Sequence, residues 1–555
     1  MNFSLRFFRW LVFIVLGIFL TRSIDLMLIK GAYFRKLSDL NRVRRIKILP
    51  ARGRIIDSNG LDLARNAVEY LNEAGEKLSR EIALKMEAEG NENLVKNWVR
   101  EYPFGLMAAH ITGYLGEISS EEISSEVKSD LEMSDLVGRS GLEQFYDSFL
   151  RGLPGERLVE VGAKEEVIRQ LAKREAKAGE DLVLTLDLNW QRAVWEAFSG
   201  KKGAVVILSP ETGAVLALVS QPSFDPNLFT KNRDEEKIFK LLNDSDLPFL
   251  NRAIGGAYPP GSTFKIVTAI AGLEENEIDA DKEVEDTGEI KIGEWRFGNW
   301  YWLEYGRTEG MVNLVKALKR SNDIYFYKVG EWLGIGRLLS WADKFNTGRI
   351  TGIDLPGEVA GFLPSPSWKE ETRGERWFLG NTYHLAIGQG DLTMTPLQVA
   401  LETAVIASGG KLCRPHLSGG VGCSELGADP KNIDLIKEGM IAVCSSGGTG
   451  FPFFDFKPQV GCKTGTAELG DIGKNSHAWF TLFYPADNES GGGQNKDISG
   501  VALDDSPGVG QQRVVITVLV EKGGSGAYVA APIAKEIIER YEGRQLSPKP
   551  VVSDQ

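Results

Sequence analysis

Length, composition and charge limit what this chain can be. Its 555 residues are too many for one ordinary hydrophobic core, so we expect two or more domains. A hydrophobic share of 43% and a charged share of 25% indicate a globular protein, and a net charge of -12 without a basic stripe disfavours a nucleic-acid partner. The four histidines are scattered and no Cys-x-x-Cys pair occurs, so we predict neither a metal site nor a cofactor.

The N-terminus carries an apolar run from Trp10 to Leu20, preceded by Arg6 and Arg9. This run predicts a short membrane span if the two arginines reach the lipid headgroups. A cleaved signal peptide is the competing interpretation, but no small-x-small cleavage site follows Thr21, so we expect an uncleaved anchor. Because almost no chain precedes Arg6, we expect a single-pass protein of the cell membrane whose body lies outside the cytoplasm.

Local patterns divide the rest of the chain. Ile46 to Asn66 predicts a hairpin around Asn59-Gly60, and residues 67–100 are charged and predict helix. Ala176 to Asp181 is a polar break, which predicts a domain boundary near residue 175. The predicted domains are a membrane anchor with a short cytoplasmic tail (1–24), a second domain (25–175), a third (176–545) and a disordered tail (546–555).

The third domain alternates predicted strands and helices. Its strand-like runs are Val205 to Leu208, Ala214 to Val219, Ala478 to Tyr484 and Arg513 to Val520, and its last helix is expected from about Tyr528 to Tyr541. Thr395-Pro396 predicts an N-cap and first residue of a helix that stops at Gly409. Residues 488–512 are rich in Gly, Asp and Ser and predict a mobile insertion. The aromatic segment Glu294 to Tyr305 predicts a structural hairpin or a substrate-facing surface.

The segment from Gly255 to Asn276 contains the most informative pattern. Pro259, Pro260 and Gly261 predict a turn, and the apolar residues after them predict a buried helix. Ser262 falls in the first turn of that helix and Lys265 three residues later, so the hydroxyl and the amine share one helix face. A neutral lysine can accept the proton of an attacking serine. Alone this pattern is weak, because it also occurs at Ser125/Lys128 and Ser199/Lys202.

Two further motifs strengthen the interpretation. Ser321-Asn322-Asp323 follows the first motif, and Lys463-Thr464-Gly465-Thr466 follows the second, just before a predicted strand. In this order the three motifs resemble those of the penicillin-binding proteins and serine β-lactamases. The resemblance implies an α+β transpeptidase domain, with an antiparallel sheet flanked by helices, on a membrane anchor and an extended pedestal domain.

The resemblance also implies roles for these residues. Ser262 would be the nucleophile and Lys265 its base, Lys463 would add positive charge, and Ser321 would relay a proton to the departing amine. Asp323 stands where many relatives have asparagine. The remaining implied roles are an oxyanion hole made by the N–H groups of Ser262 and Thr466, a carboxylate site made by the hydroxyls of Thr464 and Thr466, and close approach of substrate at Gly465.

The implied substrate is the D-Ala-D-Ala end of a peptidoglycan stem peptide, with β-lactams as acylating inhibitors. The segments Ile46 to Asn66 and Gly138 to Gly152 resemble the pedestal, also called the dimerisation domain, of class B penicillin-binding proteins, with a shortened head subdomain. His110 to Ser119, Asp323 and the Ile387-Gly388-Gln389-Gly390 segment look most like the elongation-type penicillin-binding protein 2. That type implies a SEDS-type glycosyltransferase and the elongation machinery as partners.

Three alternatives stay open at this point. The chain could be a division-type transpeptidase, a membrane-anchored β-lactamase, or a penicillin-binding sensor or scaffold. The anchor and pedestal disfavour a β-lactamase, and the lack of a recognisable cytoplasmic signalling domain disfavours a sensor. The four cysteines, Cys413, Cys423, Cys444 and Cys462, are compatible with disulfides or with buried thiols.

Overall fold

The structure is a computed structural model that describes residues 2–72, 76–89, 95–123, 131–132, 135–162, 167–230, 233–420, 422–468, 476–486 and 513–545. The chain forms two compact units. One contains Met1–Gly53, Val68–Trp98 and Ser148–Glu180, and the other contains Arg54–Ala67, Val99–Asp147 and Asp181–Gln555. The predicted boundaries at residues 24, 175 and 545 stay predictions. The insertion predicted at 488–512 and the tail predicted at 546–555 lie outside the described residues.

The first unit begins with a long apolar helix, Asn2–Ile24, which continues into a π-helical turn at Asp25–Ile29. Within it Phe7–Ile29 has a mean hydropathy of 2.2, so it is long and apolar enough to cross a membrane. The unit also contains helices Gly31–Arg42 and Arg80–Ala88, strand Lys77–Leu78, and most of helix Asp147–Arg151. Its antiparallel sheet has Gly155–Val161 between Val43–Ile48 and Val167–Arg174.

The prediction of helix across residues 67–100 was largely wrong. Among the described residues of this stretch, helix is confined to Arg80–Ala88, where the Ser79 hydroxyl accepts a hydrogen bond from the N–H of Ile82 as the N-cap. Asp62–Leu71 and Val95–Glu101 are strands. Charged composition alone does not distinguish a solvated strand from a helix, which is why the prediction extended too far. The hairpin predicted around Asn59-Gly60 is confirmed, because Ile55–Ile56 pairs antiparallel with Asp62–Ala64.

A five-stranded antiparallel sheet lies at the centre of the second unit. Its strands are β1 (Gly203–Leu208), β2 (Val215–Gln221), β3 (Gly461–Glu468), β4 (Ser476–Tyr484) and β5 (Val514–Val520), arranged in the order β2-β1-β5-β4-β3. Nearly all residues of β1, β4 and β5 are buried, which explains why the sequences of β1 and β5 are almost entirely apolar. The predicted strands and the antiparallel sheet are therefore confirmed.

Helices cover both faces of this sheet. Leu188–Ala197 and Ala531–Gln545 share one face, where the Trp190 and Tyr541 rings stack with centroids 3.5 Å apart. Helix Pro396–Ser408 lies on the other face, where the Thr403 and Thr481 hydroxyls are 2.7 Å apart. Thr395 caps this helix and Gly409 ends it with a φ of +83°, as the sequence predicted.

Five helices surround the candidate site: α1 (Lys265–Glu274), α2 (Trp300–Tyr305), α3 (Leu314–Arg320), α4 (Asp323–Lys344) and α5 (Pro430–Val443). The other helices of the second unit are Gly105–Thr112, Ser120–Ile123, Gly141–Phe145, Glu235–Leu242, Arg252–Gly255, Pro366–Arg373 and Leu379–Ala386. Two-stranded ladders pair Leu115–Glu117 with Leu136–Gly138, Val284–Asp286 with Gly310–Val312, Glu289–Ile292 with Trp295–Gly298, and Lys411–Cys413 with Cys423–Glu425.

Candidate active site

Ser262 lies in a 3-10 turn, Gly261–Phe264, that leads directly into α1. Gly261 has a φ of +56°, and its N–H donates a hydrogen bond of 2.8 Å to the carbonyl oxygen of Gly388. A Cβ at residue 388 would lie 2.1 Å from the carbonyl oxygen of Gly261, so this contact requires glycine. The Ile-Gly-Gln-Gly segment therefore supports the turn that carries Ser262.

Strand β3 lies against the same turn. A Cβ at Gly465 would lie 3.1 Å from both the carbonyl oxygen of Pro260 and the Cγ2 atom of Thr263. Glycine at 465 therefore lets β3 approach the backbone on either side of Ser262. Ser262 itself is only partly buried, and its hydroxyl makes no hydrogen bond to any residue in the described ranges.

Lys265 is the first residue of α1 and is completely buried. Its Nζ donates hydrogen bonds of 2.7 Å to Asp323 Oδ1 and to the carbonyl oxygen of Ser321, and it lies 3.3 Å from Ser321 Oγ. Burial lowers the pKa of Lys265 because it penalises the ammonium form, and the Asp323 carboxylate opposes that shift.

Lys463 comes from β3 and is also completely buried. Its Nζ donates hydrogen bonds of 2.9 Å to Ser321 Oγ and to the carbonyl oxygen of Thr464. Burial, followed by repulsion from Lys265, lowers the pKa of Lys463 well below its usual range, against the opposing effect of Asp323. The Ser321 hydroxyl thus lies between two amines that share one neighbouring carboxylate, an arrangement that favours one of the amines in its neutral form.

Ser321, Asn322 and Asp323 occupy the junction of α3 and α4. Ser321 ends α3 with a φ of +53°, Asn322 caps α4, and Asp323 is the first residue of α4. Asp323 Oδ2 accepts a hydrogen bond of 3.0 Å from the N–H of Trp300, the first residue of α2. The aromatic segment Glu294 to Tyr305, predicted as a structural hairpin or a substrate-facing surface, is therefore part strand (Trp295–Gly298) and part helix (α2). The N-terminus of α2 is hydrogen-bonded to the Asp323 carboxylate.

Thr464, Thr466 and Glu468 alternate along β3 and so project to the same side of the strand. The Thr464 and Thr449 hydroxyls are 2.8 Å apart, and Gln389 Nε2 donates a hydrogen bond of 3.2 Å to the carbonyl oxygen of Thr466. Burial, and next the nearby Asp323, raise the pKa of Glu468. The exposed end of β3 thus presents one carboxylate and a threonine hydroxyl at the edge of the site.

All four cysteines form disulfides, which the sequence left open. Cys444, at the end of α5, is bonded to Cys462, which immediately precedes Lys463. Cys413 is bonded to Cys423, ten positions later in the chain. The first of these bonds links α5 covalently to the strand that carries Lys463.

The structure brings most of the predicted site residues together. Lys265, Ser321, Asp323 and Lys463 form one hydrogen-bonded cluster, and Ser262 lies within one turn of Lys265, beside Gly465 and Thr466 on β3. Sequence reasoning missed the polar residues behind this cluster, Asp286 and Asn299. Their positions, 36 and 23 residues before Asn322, give no local signal of the contact.

The chain matches two family models. Residues 203–491 match the penicillin-binding protein transpeptidase domain, and residues 76–184 match the penicillin-binding protein dimerisation domain. It is 30% identical to the peptidoglycan D,D-transpeptidase MrdA of Haemophilus influenzae, over 96% of this chain and 91% of the relative.

Two solved structures are similar over most of the chain. Penicillin-binding protein 2 of Helicobacter pylori, solved in a complex with MreC, is 26% identical with a TM-score of 0.75, and the match covers 91% of this chain and 100% of that one. A chain from a peptidoglycan synthase complex is 29% identical with a TM-score of 0.75, and the match covers 99% of each chain.

The chain therefore belongs to the penicillin-binding protein transpeptidases. It has both the dimerisation and the transpeptidase domains of a class B member. Within that class it is of the penicillin-binding protein 2 type, the elongation-type peptidoglycan D,D-transpeptidases, as its similarity to MrdA proteins over nearly the whole chain indicates.

Proposed function

We propose that Ser262 is the nucleophile of a peptidoglycan D,D-transpeptidase that works in cell elongation, and that Lys265 is its base. The position of Ser262 one helical turn from a buried amine of lowered pKa is the observation that carries this proposal. Ser262 Oγ attacks the carbonyl of the penultimate D-Ala of a stem peptide while its proton moves to the neutral amine of Lys265. Family membership agrees with a serine acyl-enzyme mechanism.

The oxyanion of the tetrahedral intermediate is bound by the backbone N–H groups of Ser262 and Thr466. The intermediate collapses when the C–N bond breaks, and the departing D-Ala amine takes a proton through the Ser321 hydroxyl. This role of Ser321 is supported by its position between the two amines. An amine of a neighbouring stem then attacks the ester and loses its proton to the same cluster, which releases Ser262 and forms the cross-link.

The terminal carboxylate of the donor stem is bound by the Thr464 and Thr466 hydroxyls. When Lys265 is the neutral amine of the pair, Lys463 carries the charge and supplies positive potential below them. Gly465 between them lets β3 pack against the turn that carries Ser262, which brings the strand edge and the bound substrate close to the hydroxyl. β-Lactams react at Ser262 in the same way. When the β-lactam ring opens, the released amine stays covalently attached to the acyl group, so no leaving group departs from the site.

We place the chain in the cell membrane as a single-pass protein with its catalytic domain outside the cytoplasm. The support is the apolar segment Phe7–Ile29 and membership in a family of cell-wall enzymes. The Helicobacter pylori relative was solved with MreC, and another similar chain belongs to a complex that coordinates polymerization with crosslinking. We therefore propose a SEDS-type glycosyltransferase and other elongation proteins as partners of this chain.

Two assays on the full-length protein in detergent test this proposal. The first measures labelling by a fluorescent penicillin, and the second measures release of D-Ala from a stem peptide that ends in D-Ala-D-Ala. Ser262→Ala should abolish both. The matched control is Ser199→Ala, which removes the serine of another Ser-x-x-Lys sequence and should leave labelling unchanged. Labelling of Ser262→Ala at the wild-type rate would overturn the proposal, and rapid hydrolysis of the penicillin by the wild type would instead indicate a β-lactamase.

A further inference from the structure

Asp286 ends strand Val284–Asp286 and is 3% exposed. Its Oδ1 accepts a hydrogen bond of 2.9 Å from the N–H of Gly288. Its Oδ2 accepts three more, from Asn299 Nδ2 at 2.9 Å, Asn322 Nδ2 at 3.0 Å and the N–H of Glu309 at 2.9 Å. Four amide donors thus satisfy both oxygens of a buried carboxylate.

Asn299 connects Asp286 to Asp323. Asn299 is completely buried, and while its Nδ2 donates to Asp286, its Oδ1 accepts a hydrogen bond of 3.1 Å from the backbone N–H of Asp323. The next residue, Trp300, donates its backbone N–H to Asp323 Oδ2. Asp323 is therefore held through both its backbone and its carboxylate, which leaves Oδ1 directed at Lys265.

Asn322 connects Asp286 to Ser321. Its Nδ2 donates to Asp286, and its Oδ1 accepts a hydrogen bond of 2.9 Å from the N–H of Tyr325 as the cap of α4. The preceding residue, Ser321, has a left-handed backbone conformation that serine seldom adopts without support. Fixing Asn322 on both sides fixes the conformation that places the Ser321 hydroxyl between the two amines.

We propose that Asp286 is a positioning residue of the active site. Through Asn299 it sets the direction of the Asp323 carboxylate toward Lys265, and through Asn322 it sets the position of Ser321. It touches neither substrate nor reacting atoms, and it acts only through these two asparagines. The inference rests on the proposed function, because it assumes that the cluster of Lys265, Ser321 and Asp323 performs the acylation.

Asp286→Asn is the sharpest change because it keeps the size of the side chain. Both oxygens of Asp286 accept hydrogen bonds, so in either orientation an amide would direct an NH₂ group at a donor. The measurement is the second-order rate of acylation of the full-length protein by fluorescent penicillin, between about pH 5 and pH 9, which brackets a lowered lysine pKa. Thermal unfolding of the same samples shows how much protein is folded.

The expected result is a rate about 100-fold lower, as for a reacting group displaced by about 1 Å. The acid limb of the profile should also move to lower pH, since a turned Asp323 carboxylate no longer raises the pKa of Lys265. A purely structural residue would not move this limb. Combining Asp286→Asn with Asp323→Asn should move the acid limb little beyond Asp323→Asn alone, because this part of the effect acts through the Asp323 carboxylate.

The matched control is Asp354→Asn. Asp354 is also 3% exposed and accepts hydrogen bonds from the N–H groups of Leu417 and Ser418 and from the Tyr146 hydroxyl, but it contacts none of the proposed site residues. It should lower thermal stability while the folded protein keeps the wild-type rate and pH profile. If Asp286→Asn does not fold, Asn299→Ala breaks the same link to Asp323 and should give the same shift of the acid limb, with a smaller loss of rate because the link through Asn322 remains.

The inference is overturned if the folded Asp286→Asn protein acylates like the wild type, or if it loses rate with an unchanged pH profile. That failure is distinct from failure of the proposed function. The proposed function fails if Ser262→Ala is still labelled. This inference alone fails if Ser262→Ala is unlabelled while Asp286→Asn behaves as the wild type.

Discussion

Two clusters of buried charge in the second unit differ in one respect, the balance between cations and anions. Arg100 and Glu143 form a matched pair, 1% and 0% exposed in their side chains, with Nε and Oε1 2.7 Å apart. Lys265, Lys463 and Asp323 combine two amines with one carboxylate. In the pair, the two opposite charges stabilise each other. In the unmatched cluster, two charged amines would repel each other, so the cluster favours a neutral amine.

This difference separates a structural role from a chemical one. A matched buried pair contributes mainly by holding its surroundings in place, and removing one partner leaves a buried charge. An unmatched cluster favours a neutral amine near the proposed nucleophile, and an amine must be neutral to accept a proton as a general base. The variants below should therefore affect stability at one cluster and reactivity at the other.

Lys265→Met should have the largest effect. The cluster would then hold one amine and one carboxylate, a matched pair, so we expect thermal stability close to that of the wild type. Acylation by fluorescent penicillin should fall by about 1000-fold, because the proposed base is lost. A folded Lys265→Met protein that acylates normally would show that Lys463 or another group serves as the base.

Arg100→Met should show the opposite pattern. It breaks a buried ion pair by removing the Arg100 guanidinium, so we expect the free energy of unfolding to fall by about 3 to 5 kcal/mol. The folded fraction should acylate at the wild-type rate. The double variant with Glu143→Leu also removes the carboxylate of the broken pair and should recover part of the stability. Thermal and urea unfolding measure the loss, and failure of the double variant to recover any stability would argue that Glu143 is held by its other contacts.

Of the elements and charge clusters described above, the sequence predicted those that leave a local pattern along the chain. Apolar runs identified β1, β2 and β5, and the Thr395-Pro396 cap identified a helix, because caps and long apolar runs are local signals. Three motifs identified the unmatched cluster. The matched pair was not predicted, since nothing near Arg100 signals a partner 43 residues later. The link from Asp286 to Asn322 was missed for the same reason, because tertiary contacts between side chains leave no periodic pattern in the sequence.

Asp323→Asn sharpens the comparison by removing the only carboxylate bonded to Lys265 among the described residues. The Asp323 carboxylate raises the pKa of Lys265, so its loss should lower that pKa further. The acid limb of acylation should move to lower pH, and the variant should keep a larger fraction of its maximal rate in acid. A pH profile of acylation measures the shift. Movement to higher pH would mean that the carboxylate does not govern the proton affinity of the two amines.

His110 is a buried titratable group with no carboxylate hydrogen-bonded to it in the part of the chain that the structure describes, and its expected effect is the smallest near neutral pH. It is 8% exposed, its Nε2 lies 2.9 Å from the carbonyl oxygen of Pro248, and burial lowers its pKa from 6.5 to about 4. As the pH falls below 6.5, the unfolded chain binds a proton that the folded protein excludes. The free energy of unfolding should therefore fall by about 1 kcal/mol over the first pH unit and level off near pH 4.

His110→Gln separates this effect from that of the lysines and carboxylates. Glutamine can donate to the same carbonyl but does not titrate, so the variant should match the wild type at pH 7 and lose less stability toward pH 5. Thermal unfolding at several pH values measures the two slopes. Equal slopes would mean that His110 binds a proton in the folded protein as readily as in the unfolded chain. A nearby anion would then compensate its charge, and the lysine cluster would remain the site where buried cations and anions are unequal in number.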